Sequence, residues 1–130
     1  MILAFDSYYV NNEAHTACIA FEQWTDETPA QVYTEITPET AEYEPGAFYK
    51  RELPGILSLL KQIETAQVSH IVIDGFVVLD DAGKPGLGAH LYASLGQKIP
   101  VIGVAKNNFA LLQARKRELF RGNSRKPLYI

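Results

Sequence analysis

The chain has little cysteine and no long apolar run. Cys18 is the only cysteine in 130 residues, which excludes an internal disulfide and a zinc site made of several cysteines. No apolar run reaches membrane-spanning length. The opening segment MILAFDSYYV has no basic region, and its apolar run ends at Asp6, so a signal peptide is not expected. We therefore expect a soluble cytoplasmic protein with no membrane contact.

Basic residues are scarce in most of the chain. Residues 1–105 carry 5 basic and 14 acidic side chains, whereas residues 106–130 carry 7 basic and 1 acidic. A basic end of this kind predicts a polyanionic partner such as nucleic acid. A solvated helix face would carry the same charges, so charge alone leaves both interpretations open.

The rest of the composition is that of a globular protein. A hydrophobic content of 47% and a charged content of 21% over 130 residues suit one domain, residues 1–130. Alternating residues predict strands at HTACIAFEQW and QVYTEI, and short apolar runs predict strands at ILAF, HIVID, IPVIGVA and KPLYI. HIVID and IPVIGVA are of the kind that is buried on both faces. Helical periodicity predicts helices from Glu52 to Ile63, over GLGAHLYASLG and over NFALLQARKRELF.

The predicted order of elements is β-β-β-α-β-α-β-α-β. Three consecutive strands suit an antiparallel meander, and the helices that follow act as crossovers, which connect parallel strands. The fold class is therefore α/β: a mixed sheet in which a three-strand meander is followed by parallel strands with crossover helices.

This topology brings four charged residues to one edge of the sheet. Asp6, Asp74 and Lys106 each follow an apolar strand, and Glu52 opens the helix after the third strand. Open α/β sheets bind ligands at the carboxyl edge of their strands. Three carboxylates gathered there would repel one another unless a cation joined them, and oxygen ligands suit Mg²⁺ or Mn²⁺.

Each carboxylate also has an ordinary structural explanation. Asp6 and Asp74 are typical turn residues, and Glu52 is typical of a helix N-terminus. Their convergence on one edge favours a metal site for phosphodiester cleavage.

Several segments, in order, resemble the endonuclease V family. They are Asp6 after its apolar strand, Tyr-x-Pro-Gly at 43–46 leading to Arg51-Glu52, VIDG, Gly-Leu-x-x-His-Leu at 86–91, and IPVIGVAK. The similarity covers about residues 3–106, and KPLYI resembles a further family strand. The resemblance implies a ribonuclease H-like fold and a Mg²⁺-dependent endonuclease that nicks nucleic acid beside deaminated adenine, an activity of DNA repair.

The resemblance also implies roles for single residues. Asp6, Glu52 and Asp74 match the family's metal-binding carboxylates, and Lys106 matches a lysine near the scissile phosphate. Other positions match the parts that handle the everted base: the wedge that fills its vacated space (Tyr43, Pro45) and the loops around its pocket (Gly75, Gly86, Leu87).

Independently of the resemblance, the basic end supplies candidates for phosphate contacts. Arg121 and Lys126 are the first choices, and both are expected on the same side of the molecule as Asp74.

The chain departs from the family pattern in its wedge and loops. Glu42 and Glu44 replace a proline and a valine, Phe76 follows VIDG where histidine is usual, and LDDAGK replaces a basic loop. Family members also continue with a further helix beyond the counterpart of KPLYI. These departures predict weak discrimination for inosine.

Three interpretations therefore stay open. The chain is a metal-dependent endonuclease, a degenerate module of the same fold that binds nucleic acid or protein without cutting, or a shortened form of a longer enzyme. The sequence does not decide between DNA and RNA, and it leaves the oligomeric state unknown.

Overall fold

A computed structural model describes residues 1–38 and 47–130. Its strands are β1 (Ile2–Val10), β2 (Glu13–Phe21), β3 (Gln31–Pro38), β4 (His70–Asp74), β5 (Val101–Val104), β6 (Glu118–Leu119) and β7 (Leu128–Tyr129). Its α-helices are α1 (Phe48–Leu60) and α2 (Leu87–Ser94), and a 3₁₀ turn covers Thr65–Gln67.

The first five strands form one mixed sheet in the order β3-β2-β1-β4-β5. β1, β2 and β3 pair antiparallel, whereas β4 lies parallel to both β1 and β5. The α/β fold class, with its meander and parallel crossovers, is therefore confirmed.

The core lies between one face of this sheet and the two helices. Alternate residues of β1 and β4, such as Leu3 and Ile71, are fully buried against Ile56 and Leu59 of α1 and Leu91 of α2. In the sequence both strands are continuous apolar runs, ILAF and HIVID, and the alternation of burial becomes visible only in the structure. Within residues 1–38 and 47–130, no helix is long and apolar enough to cross a membrane.

Among the element boundaries that differ from the sequence prediction, two concern the charged residues. β1 continues past Asp6 to Val10, because Asn11 and Asn12 both adopt positive φ (52° and 59°) and form a tight hairpin that extends the pairing with β2. α1 begins at Phe48, so Glu52 lies in the second turn rather than at the helix N-terminus.

The predicted helix over NFALLQARKRELF is wrong. Residues 106–117 follow an irregular path, and Glu118–Leu119 pairs with Leu128–Tyr129, which confirms a strand in KPLYI. The backbone groups that a helix would pair internally have distant partners here. The Arg117 amide donates to the Ile130 carbonyl at 2.7 Å, and Ala105 and Tyr129 exchange two hydrogen bonds, at 2.9 and 2.8 Å.

Candidate active site

Asp6 and Asp74 lie side by side on neighbouring parallel strands. The register pairs Phe5 with Ile73, which brings the next residues, Asp6 and Asp74, to the same level. Asp74 is the last residue of β4 and is paired with Val104 of β5. The juxtaposition of the two carboxylates at the carboxyl edge follows directly from the parallel crossover that the sequence predicts.

Glu52 reaches the same place from the helix. Its side chain is only 8% exposed, because α1 turns this face toward the sheet. The three carboxylates line one narrow cleft together with Phe5, Ser7, Ile56 and Leu87. The free space in the cleft is about 10 Å³, roughly the room needed for one water-sized particle.

The environment of the cleft opposes negative charge. Burial raises the pKa of Glu52, and Asp74 and Asp6 raise it further, while hydrogen bonds from Tyr9 and Ser7 partly offset the rise. Burial and the neighbouring Asp6 also raise the pKa of Asp74, and the positive charge of Lys106 lowers it. A cation in the cleft would relieve this repulsion.

The side chains of the cleft supply the ligand atoms that a hard cation prefers, but they are not arranged around a single ion position. Three carboxylates offer only oxygen atoms, the ligands that Mg²⁺ and Mn²⁺ prefer. Among the described residues, no three His, Cys, Asp or Glu side chains are arranged to hold one ion without adjustment. Asp6, Glu52 and Asp74 nevertheless line one cleft, so they are the residues that could hold such an ion.

Lys106 lies beside the aspartates at the end of β5. It shares a shallow groove with Asp74 and Leu128 of β7, and its positive charge acts on Asp74. It lies two residues beyond the end of β5, and the parallel register of β4 and β5 places it at the same edge of the sheet as the carboxylates.

A larger apolar pocket opens next to the carboxylate cleft. It has a free volume of about 230 Å³ and is lined by Phe48, Tyr49, Gly75, Phe76, Leu79, Gly86, Leu87 and Phe109. Leu87 borders both the pocket and the cleft. Gly75, Gly86 and Leu87, the residues expected around a base pocket, thus lie together in one wall.

Backbone conformation and close packing explain why the glycines of this wall are glycines. Gly75 has φ +128°, which side chains with a Cβ rarely adopt. A Cβ on Gly86 would lie 2.8 Å from the carbonyl oxygen of Phe76. Both residues therefore allow the loop after β4 to fold tightly beside the pocket.

Sequence reasoning missed the aromatic part of the pocket. Phe109 was assigned to a helix, but it lies in the irregular segment and faces Phe76, with ring centroids 6.0 Å apart. Phe48 and Tyr49 fall before the predicted start of α1. In the sequence, the only signal for this part of the pocket was that aromatic residues occur beside glycine-rich loops.

Sequence reasoning also missed the contact that holds this segment. Asp81 accepts hydrogen bonds from the backbone amides of Gln113 and Ala114 at 2.8 and 2.9 Å. These bonds lower the pKa of Asp81. The acidic loop LDDAGK therefore has a structural role at the pocket, where the family pattern led us to expect basic residues.

The remaining predicted residues either do not line the cleft or fall outside the described ranges. Arg121 and Lys126 are exposed on the segment that joins β6 to β7. Tyr43 and Pro45 fall in residues 39–46, outside the part of the chain that the structure describes.

The comparisons with known proteins agree with the fold. A family model described as endonuclease V matches residues 1–129. Human ENDOV has the same fold at 20% identity, with a TM-score of 0.76 over 98% of this chain and 67% of that chain. The Bacillus subtilis endonuclease V is 19% identical, with a TM-score of 0.70 over 98% of this chain and 62% of the other.

A third similar structure contains nucleic acid. It is a Ciona intestinalis endonuclease V variant in complex with a 23mer DNA that contains an inosine followed by a ribo-adenosine. Identity is 15%, and the match covers 98% of this chain and 68% of that chain with a TM-score of 0.74. No curated protein matches the sequence.

The chain spans 62 to 68% of the length of these three structures. The family model covers nearly every residue of the chain, and the mixed sheet has the ribonuclease H-like arrangement of the solved relatives. On both grounds, the chain belongs to the endonuclease V family.

Proposed function

We propose that the protein is a metal-dependent endonuclease that hydrolyses a phosphodiester near a deaminated, inosine-type base. The observation that carries the proposal is the convergence of Asp6, Glu52 and Asp74 on one cleft, with an apolar pocket of base size beside it. A bound Mg²⁺ or Mn²⁺ would supply Lewis acidity for the hydrolysis.

Some residues of the site bind the cation, and another compensates charge on the scissile phosphate. Asp6, Glu52 and Asp74 hold the cation, and Lys106 attracts the scissile phosphate and offsets charge that builds on it in the transition state. The aromatic pocket receives the unstacked base, which stacks against rings such as Phe76 and Phe109. Tyr43 and Pro45 fill the gap in the stack, and Arg121 and Lys126 contact phosphates.

The substrate is nucleic acid, either DNA or RNA, and the site of action is the cytoplasm. A relative holds inosine-containing DNA in its solved complex, which supports the class of substrate. The pocket here is lined mainly by apolar side chains. It therefore favours stacking over hydrogen-bond readout, and we expect a preference for inosine below about 100-fold, or roughly 2.7 kcal/mol.

The second candidate is a module of this fold that binds nucleic acid without cutting it. Glu42 and Glu44, in the wedge sequence, favour this alternative because they would repel phosphates. The carboxylate cleft with Lys106 favours the enzyme.

The first test is the Asp6→Asn variant. The amide keeps the shape of the side chain and removes one ligand charge, so we expect cleavage to fall by at least about 100-fold while the melting temperature hardly changes. The assay follows nicking of inosine-containing and unmodified oligonucleotides in Mg²⁺ and in Mn²⁺. An exposed carboxylate, Glu64→Gln, is the matched control.

The outcome separates the two candidates. Equal activity in wild type and Asp6→Asn, or activity in excess chelator, would contradict the proposed enzyme. Binding of the oligonucleotides without any cleavage by wild type would identify the non-cutting module instead.

A further inference from the structure

Of the three carboxylates that line the cleft, only that of Glu52 comes from a helix and not from the sheet. Asp6 and Asp74 sit on hydrogen-bonded strands, and the register fixes their relative height. Glu52 stands on α1, with a flexible side chain between its backbone and its carboxylate. A residue that holds this side chain would therefore set the geometry of the cleft.

Tyr9 meets this description. It lies on β1, and its side chain points to the same side of the sheet as those of Phe5 and Ser7, toward α1. Burial raises the pKa of the Glu52 carboxyl, and hydrogen bonds from Tyr9 and Ser7 lower it. The hydroxyl of Tyr9 also donates to the carbonyl oxygen of Arg51 at 3.2 Å.

The ring of Tyr9 is itself held in place. The guanidinium carbon of Arg51 lies 3.7 Å from the centroid of the ring, a close cation–π contact. Tyr9 is thus attached to Arg51 through both its ring and its hydroxyl, and Arg51 is the helix residue next to Glu52.

One turn after Glu52, α1 packs closely against the sheet. A Cβ on Gly55 would lie too close to Oγ1 of Thr16, a buried residue of β2. The Oγ of Ser7 lies 3.3 Å from the same Thr16 oxygen. Gly55 therefore permits the close approach of α1 that places Glu52 within reach of the hydroxyls of Tyr9 and Ser7.

We infer that Tyr9 is a positioning residue, which holds the Glu52 carboxylate toward Asp6 and Asp74 and so prepares the cleft for a cation. This inference rests on the proposed function only for the identity of the cation. The contacts that join Tyr9 to Arg51, the neighbour of Glu52 on α1, stand on the geometry alone.

The test compares Tyr9→Phe with Tyr8→Phe. The first variant removes the hydroxyl and keeps the ring under Arg51. The second removes the same atom from the neighbouring tyrosine, which is 63% exposed and stacks on His15 on the other side of the sheet. Mn²⁺ alone is the probe, with its affinity measured by calorimetric titration of the folded proteins.

We expect Tyr9→Phe to weaken Mn²⁺ binding by about tenfold, the usual loss when an outer-shell hydrogen bond to a ligand is removed. Tyr8→Phe should bind as wild type, and melting temperatures should show that both variants are folded. Unchanged Mn²⁺ affinity in Tyr9→Phe would overturn the inference.

A second readout needs no metal. Crystal structures of wild type and Tyr9→Phe in chelator should show the Glu52 carboxylate moved away from Asp74 in the variant only. If wild type binds no Mn²⁺ but Glu52 moves as expected, the positioning role stands and the proposed metal site fails. If Glu52 keeps its place in Tyr9→Phe, the positioning role fails whatever the metal does.

Discussion

At the scale of single residues, the cleft contains buried negative charge that the fold does not itself neutralise. Folded Glu52 has a pKa raised above its ordinary value of 4.5, first by burial and then by Asp74 and Asp6. The folded protein therefore binds this proton more tightly than the unfolded chain does. Between the unfolded and the folded pKa, the free energy of unfolding must fall as pH rises.

The Glu52→Gln variant tests whether the free energy of unfolding falls as pH rises. In chelator, we expect the variant to melt a few degrees above wild type at about pH 7, since an uncharged group replaces a buried charge. Its melting temperature should also fall less than that of wild type between about pH 4 and about pH 7. Thermal melts across this range measure both effects. Glu64→Gln, at an exposed position, should follow the wild-type profile, and the same profile in Glu52→Gln would contradict the expectation.

At the scale of elements, the loop 75–87 and the segment 106–117 form one unit through side-chain contacts rather than through regular structure. Asp81 binds the amides of Gln113 and Ala114, and Phe76 faces Phe109. Both phenylalanines line the apolar pocket. The shape of the pocket therefore depends on a carboxylate that is not itself part of the lining.

The Asp81→Ala variant should loosen this unit. We expect amide hydrogen exchange at Gln113 and Ala114 to become several-fold faster, because both amides lose their acceptor. Asp80→Ala is the matched control: its carboxylate accepts from the Lys84 amide within the same turn, so exchange at 113 and 114 should not change. Equal exchange in wild type and Asp81→Ala would show that other contacts hold the segment.

At the scale of the whole molecule, charge is unevenly distributed around the sheet. The acidic cleft belongs to the part of the chain with an excess of carboxylates, and the basic residues follow β5. The strand pair β6–β7 ties the basic segment to β5 through Ala105 and Tyr129. Lys126 and Arg121 lie on the connection between those two strands, exposed to solvent.

Replacing Arg121 and Lys126 together with Ala should weaken nucleic-acid binding for all sequences alike. Each lost phosphate contact should reduce the log–log dependence of affinity on salt by about 0.9. Fluorescence anisotropy at several salt concentrations in chelator measures the slope. The control pair, Lys61→Ala with Lys98→Ala, removes the same charge after α1 and before β5. The proposed phosphate contacts would be wrong if both pairs gave the wild-type slope.

The sequence by itself determined the sheet and the meeting of its charged residues. The apolar runs ILAF and HIVID and the crossover helix between them were enough to place Asp6 beside Asp74, because parallel strands joined by a helix share their carboxyl edge. The segments shared with the endonuclease V family lie mostly on these elements. Each of these features is local, or follows from connectivity that a short pattern encodes.

Only the tertiary structure decided how the site is completed. Phe109 lines the pocket and is not part of a helix. Asp81, which is 32 residues from Gln113 in the chain, accepts hydrogen bonds from backbone amides that a helix would pair internally. Glu52 stands inside α1 and meets Tyr9 because Gly55 lets the helix approach Thr16. Such contacts join residues far apart in the chain, and hydrophobic periodicity has no information about which distant side chain will satisfy a given backbone group.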